Sequence, residues 1–134
     1  MTTIRWGPEY ILGYSPIDIQ HKEWINKIES IYNTINIGDF DAKDRIGFQL
    51  LRLQNHLKFH LLYEEKMMDD TCYPDFSLHK KLHEGILSNI VYFINRLDIH
   101  EIIISPSLIN EKIHEHILIE DKAFINFYNE IKNK

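Results

Sequence analysis

Five of the chain's eight histidines and two of its acids follow one another as His21, His60, Glu64, His79, His83, His116 and Asp121. His60–Glu64 and His79–His83 are each four residues apart. On an α-helix, that spacing leaves two side chains about 40° apart around the axis and one turn along it, so both project from one face. His116 and Asp121 are five apart, about 140° round an α-helix, and spacing alone does not join them. The pairs sit inside apolar stripes. Whatever fold buries those stripes also buries these polar groups, and a core accepts such groups only when something satisfies them.

Four stretches carry helical periodicity. The first covers about residues 18–37, with Ile25, Ile28, Tyr32 and Ile35 inward and Gly38 as its stop. In the second, about 41–69, Ile46, Leu50, Leu53, Leu57, Leu61 and Glu64 share one face. Tyr73-Pro74-Asp75 then breaks the pattern, because proline lacks a donor and disfavours helix in the residue before it. Asp75 or Ser77 caps a third stretch, about 76–98, running through Leu82, Ile86, Ile90, Phe93 and Leu97. Ser105-Pro106 opens the fourth, about 106–131. Ile102-Ile103-Ile104 has strand propensity, but helical spacing holds over far more of the chain. The expectation is a single all-α domain over residues 1–134. It is an up-down-up-down antiparallel four-helix bundle with an irregular N-terminal arm over residues 1–17.

Composition narrows the function classes. At 134 residues the chain can close a core without staples. The lone cysteine, Cys72, has no intramolecular partner and is expected to pack as a small apolar group. A net charge of −5 without a basic block argues against nucleic acid. No run of about 18 apolar residues is present to span a membrane, and Met1-Thr2-Thr3-Ile4-Arg5-Trp6-Gly7-Pro8 lacks the features of a signal peptide. The expected location is the cytoplasm.

Seven nitrogen and oxygen ligands are too many for one tetrahedral zinc, which takes four. They suit two octahedral-type ions side by side, bridged by the carboxylates. Imidazole and carboxylate fit iron, manganese or zinc, and the absence of thiolates removes copper(I) and iron–sulfur clusters. Our reading is a dinuclear iron site. Ferritin-like di-iron proteins use Glu-x-x-His twice, whereas this chain holds it once, at Glu111–His114, and one copy cannot build that site.

The chain also resembles a known family, the hemerythrins, and among them the single-domain bacterial members. The likeness runs through Trp6-Gly7-Pro8-Glu9-Tyr10-Ile11-Leu12-Gly13, Ile17-Asp18-Ile19-Gln20-His21-Lys22 and His60-Leu61-Leu62-Tyr63-Glu64-Glu65-Lys66-Met67-Met68. Tyr73-Pro74, His79-x3-His83 and His116-Ile117-x3-Asp121-Lys122 complete it. The resemblance implies two iron ions cycling between Fe2+ and Fe3+. His79, His83 and His116 would complete one and His21 and His60 the other, with Glu64, Asp121 and an oxo or hydroxo group as bridges. Dioxygen would bind at the iron with two histidines.

Two positions depart from the family pattern. Leu61 stands where phenylalanine is common, and Lys112 where tryptophan is common. Both would leave more room at the oxygen pocket, to which Ile113 and Leu118 also correspond. Lys112 either brings an ammonium group to the pocket mouth or points to solvent over its aliphatic stem. Tyr14 is larger than the aliphatic residue usual there. His56 is either a partner of the ligands or a packing histidine, while His100 and His114 are read as surface residues, and Met67 and Met68 as core.

These features imply a non-enzymatic oxygen-binding protein for carriage, storage or delivery, acting as a monomer or small homo-oligomer, with dioxygen and a redox protein as partners. The alternatives are an oxygen, redox or iron sensor working through a partner, and a di-iron peroxidase or nitric-oxide-reducing enzyme.

Overall fold

The computed structural model describes residues 4–38, 40–96 and 106–133. Its helices are α1 (Ser15–Ile37), α2 (Ala42–Asp70), α3 (Phe76–Arg96), α4 (Pro106–Glu115) and α5 (Lys122–Lys132). A π-helical turn, His116–Asp121, joins α4 to α5. Both flanking residues have right-handed helical dihedrals, so α4, the π turn and α5 form one continuous fourth rod. The result is the expected all-α four-helix bundle, in which α1 packs along α2 and α2 along α3.

The connections follow from local chemistry. Gly38 ends α1 in the left-handed conformation, at φ 61°, and its N–H donates to the Thr34 carbonyl. After α2, Cys72 also takes a positive φ of 53°, and the chain re-enters helix at Phe76, directly after Asp75. Asp75 therefore precedes the first turn of α3, and Ser77 lies within it. Cys72 is exposed in this turn, contrary to its expected packing, because the left-handed backbone carries its side chain away from the core.

The N-terminal arm is more regular than expected. Pro8–Tyr10 form a 3-10 helix, and α1 begins at Ser15, ahead of the expected Asp18, with Pro16 in its first turn, where the missing N–H costs nothing. The Asp18 carboxylate accepts from the N–H groups of Leu12 and Gly13, at 2.8 and 3.3 Å, and so pins the arm to α1. Ile4, Tyr10 and Leu12 are buried. Phe93, Leu97, His100, Ile102–Ile104 and Ser105 lie outside the residues whose side chains or backbone are described.

The core runs the length of the bundle through Ile17, Trp24, Ile25, Ile28, Ile46, Leu53, Leu57, Ile90, Ile113, Ile117, Phe124 and Ile125. Burying each such side chain contributes roughly 1.5–3 kcal/mol. That gain must offset nine buried polar or charged side chains among the described residues, seven of them the histidines and acids singled out above.

Candidate metal centre

Each rod of the bundle delivers part of the set. His21 comes from α1, His60 and Glu64 from α2, His79 and His83 from α3, and His116 and Asp121 from the two ends of the π turn. All seven are at most 3% exposed. The π turn explains the pair that α-helical spacing could not join. Its ring closes over five residues rather than four, as in the bond from the Lys122 N–H to the Ile117 carbonyl, so residues five apart return to one face. On uninterrupted α geometry the inward positions from Ile113 to Tyr128 would spread over about 180°. The extra residue takes up that excess, and the exposed Ile119 lies within the turn.

The donor atoms fall into two overlapping groups, within each of which they lie no more than 4.8 Å apart. One comprises Glu64, His79, His83, His116 and Asp121, the other His21, His60, Glu64 and Asp121. The carboxylates divide their oxygens between the two sides. Glu64 Oε1 is 2.9 Å from His79 Nε2 and 3.3 Å from His83 Nε2, while Oε2 is 3.2 Å from His60 Nε2 and 3.9 Å from His21 Nε2. Asp121 Oδ1 is 2.8 Å from His79 Nε2 and 3.1 Å from His116 Nε2, and Oδ2 is 3.0 Å from His21 Nε2.

Proximity does not satisfy these atoms. The Nε2 atoms of all five histidines and the four carboxylate oxygens are buried without a hydrogen-bond partner of adequate geometry. Such groups are costly unless a cation occupies the space they enclose. The electrostatics agree. Burial pushes both carboxyls up, and Asp121 pushes Glu64 up further, but hydrogen bonds and the charge of the surrounding imidazoles outweigh this, holding Glu64 at about 2 and Asp121 well below the usual range. Burial pushes His79 down, yet Asp121 and Glu64 together raise it to about 9, and His116 is raised in the same way. His60 is lowered, chiefly by burial. Without a metal, the site thus keeps its anions by retaining protons on imidazoles. The donor set and its unsatisfied atoms fit a pair of cations.

Behind the donors, a second group of side chains aims them. His60 Nδ1–H donates to Gln20 Oε1 at 2.7 Å, which turns Nε2 toward the centre. The Gln20 backbone carbonyl accepts from His56 Nε2 at 2.9 Å, so His56 ties α2 to the α1 backbone at that residue. His83 Nδ1–H donates to Glu65 Oε2 at 3.1 Å. The Trp24 ring lies 5.6 Å from that of His60 and 6.2 Å from that of His21, and Tyr73 meets His79 edge-on. Gln20, Glu65, Trp24 and Tyr73 received no role from the sequence, because their contacts with His60, His83 and His79 cross from one element of the chain to another.

Of the expected pocket positions, Leu61 and Ile113 are buried and Leu118 is half-buried against the core. Lys112 is exposed and stands at a cleft of about 330 Å³ between α3 and α4, whose walls also include Lys81, Ile86, His116 and Glu120. Tyr14 packs edge-on against Tyr128. His114 is exposed, as expected, and bonds the buried Tyr10 hydroxyl at 2.8 Å. Met68 is buried and Met67 packs against the core.

Fold and site together define a metal-binding four-helix bundle. No family profile matches the chain. Its sequence is 30% identical to hemerythrin subunit 2 of Golfingia vulgaris over 93 residues, 69% of this chain and 67% of that one. It is 21% identical to a bacteriohemerythrin of Stenotrophomonas maltophilia over 127 residues, covering 92% of this chain and 80% of the relative. A Pseudomonas aeruginosa bacteriohemerythrin is 23% identical over 128 residues, 94% of this chain and 82% of its own. The chain belongs to the hemerythrin family. Among the described residues no helix is long and apolar enough to cross a membrane.

Proposed function

We propose that the chain holds two iron ions in this cluster and takes up dioxygen reversibly, for carriage, storage or delivery. The carrying observation is the unequal division of donors around two shared carboxylates. His79, His83 and His116 with one oxygen each from Glu64 and Asp121 offer five donors to one ion. His21 and His60 with the other two oxygens offer four. With an oxo or hydroxo bridge added, the first ion would have six donors and the second five, which would leave the second a position for a further ligand. When bound, the iron pair supplies two electrons for reversible uptake of dioxygen at that unfilled position.

The protein's own contribution is to hold this inequality and keep the position dry. Gln20 and Glu65 fix the tautomers of His60 and His83. Leu61 and Ile113, neighbours in sequence of donors or one turn from them, are buried and offer no polar group. Such surroundings favour a small neutral ligand over water or protons.

The deciding experiment starts from protein loaded anaerobically with ferrous iron. Metal analysis should return two irons per chain, and admitting oxygen should produce a visible spectrum that disappears on removing the gas. One metal per chain, tightly held zinc alone, or a colour that never reverses would refute the reading. The cleft beside His116 favours a second reading as a peroxidase-like enzyme, since its lysines could admit charged reactants. Sustained turnover of peroxide with a reductant would establish that instead.

A further inference from the structure

The outer face of α2 carries an apolar stripe with no role in the bundle. Phe48, Leu51, Phe59 and Leu62 are 63%, 49%, 59% and 66% exposed. At 100° per residue they lie, with Asn55, within about an 80° arc opposite Ile46, Leu50, Leu53 and Leu57, which face the core. Contacts on either flank confirm this orientation. His56 and Tyr63 on one side lean toward α1, and Glu65 on the other reaches His83 of α3.

The stripe reads the same in both directions in one chemically useful sense. Counting from Asn55, Leu51 lies four residues before and Phe59 four after. Phe48 lies seven before and Leu62 seven after, and Asp44 and Lys66 stand eleven to either side. Four, seven and eleven are the spacings that keep an α-helical face in line. If two copies of α2 are laid antiparallel about a two-fold axis at Asn55, every phenylalanine meets a leucine. Asn55 then meets its own equivalent, and each Asp44 meets the Lys66 of the other copy. Large rings against branched aliphatics interdigitate at the 8–10 Å separation of packed helices. The asparagine pair fixes the register, because any slip would bury an amide against carbon. Two closing ion pairs complete a self-complementary surface of the isologous kind.

We propose that this face is the interface of a two-fold homodimer, with a second copy of the chain as its occupant. The four apolar side chains present ~500 Å² of surface, the size of the largest apolar patch on a typical monomer, which is often a functional one. With Asn55, Asp44, Lys66 and the flanking stems, each copy contributes close to the ~800 Å² that a stable interface buries per partner. The arrangement leaves the metal cluster of each copy on the far side of α2, so dimerisation and metal binding are separable.

Sedimentation equilibrium of the iron-loaded chain, from low micromolar to near-millimolar concentration, should show a mass rising from 16.1 kDa toward twice that value. Leu51→Lys with Phe59→Lys should keep the helicity and metal spectrum and weaken association at least tenfold. Asp44→Lys alone should weaken it, and adding Lys66→Asp should restore it. In a Cys72→Ser background, Asn55→Cys should cross-link with a short bismaleimide. Phe48→Cys should do so only when mixed with Leu62→Cys. A monomer throughout the range would overturn the proposal, as would a dimer indifferent to the lysine pair, or equal self-cross-linking at positions 48 and 55. A monomer that binds neutral lipid vesicles through Phe59 would overturn it in favour of a lipid contact.

Discussion

Replacing Gln20 by leucine removes a single hydrogen-bond acceptor while nearly conserving volume. His60 is fully buried, and its Nδ1–H donates to Gln20 Oε1 at 2.7 Å. In the variant that donor has nowhere to go, at a cost of roughly 1–3 kcal/mol. The imidazole can escape it by rotating, but then Nε2 leaves the side of the centre served by only His21, His60 and the two shared carboxylates. A ligand that loses its orienting partner typically weakens metal affinity ~10–100-fold. That range corresponds to about 1.4–2.7 kcal/mol, matching the hydrogen-bond cost. The loss should fall on the four-donor side, leaving the five-donor side of His79, His83 and His116 close to its original affinity. Titrating the metal-free protein with ferrous iron under anaerobic conditions should therefore show two steps pulled apart, the weaker shifted by one to two decades. Gln20→Glu keeps an acceptor at Oε1 and should hold both steps together. If Gln20→Leu binds both irons as the original chain does, or loses both equally, the orienting role assigned to Gln20 is wrong.

Glu64→Ala removes one oxygen from each donor group and should cost the chain both irons, and metal analysis showing a full, spectroscopically normal pair would disprove the bridging assignment. For the metal-free protein the sign of the pH effect follows from His79, whose value rises from 6.5 to about 9 on folding. The stabilisation, about 3 kcal/mol, is fully present below pH 6.5 and lost as pH climbs through 9, so thermal melts should fall over that window and flatten in His79→Leu. The same proton competes with metal, so iron affinity should increase over the window in which stability declines; an affinity independent of pH would contradict it. Lys112→Trp should cover the cleft beside His116 and slow autoxidation of the oxygenated protein several-fold by stopped-flow, whereas an unchanged rate would show that solvent does not enter there.

Much of the architecture was legible because apolar spacing is a direct imprint of helical packing. The second helix, expected over 41–69, spans Ala42–Asp70, and all six of its predicted inward residues are buried. The start of α1 was misplaced because Pro16 reads as a breaker except in a first turn, and a sequence does not mark which turn is first. Cys72 was misjudged because burial was inferred from residue type, while a left-handed backbone decided the direction of its side chain. The seven residues were picked out by type and by likeness, and they lie together in the core, yet the pairing of His116 with Asp121 was geometrically opaque until the π turn was seen. Gln20 and Glu65 could not be assigned, since their partners lie 40 and 18 residues away on neighbouring helices.

That π turn gives the fourth rod two rulers with different zero marks. A face counted from Pro106 runs true as far as Glu115, and one counted from Lys122 runs true to Lys132. Across His116–Asp121 the two scales disagree by one division. A staple, charge ladder or substitution series laid out at four-residue intervals through the turn will therefore emerge on the wrong side of the rod. Each half must be indexed from its own end, with Ile119 as the spare tick between them.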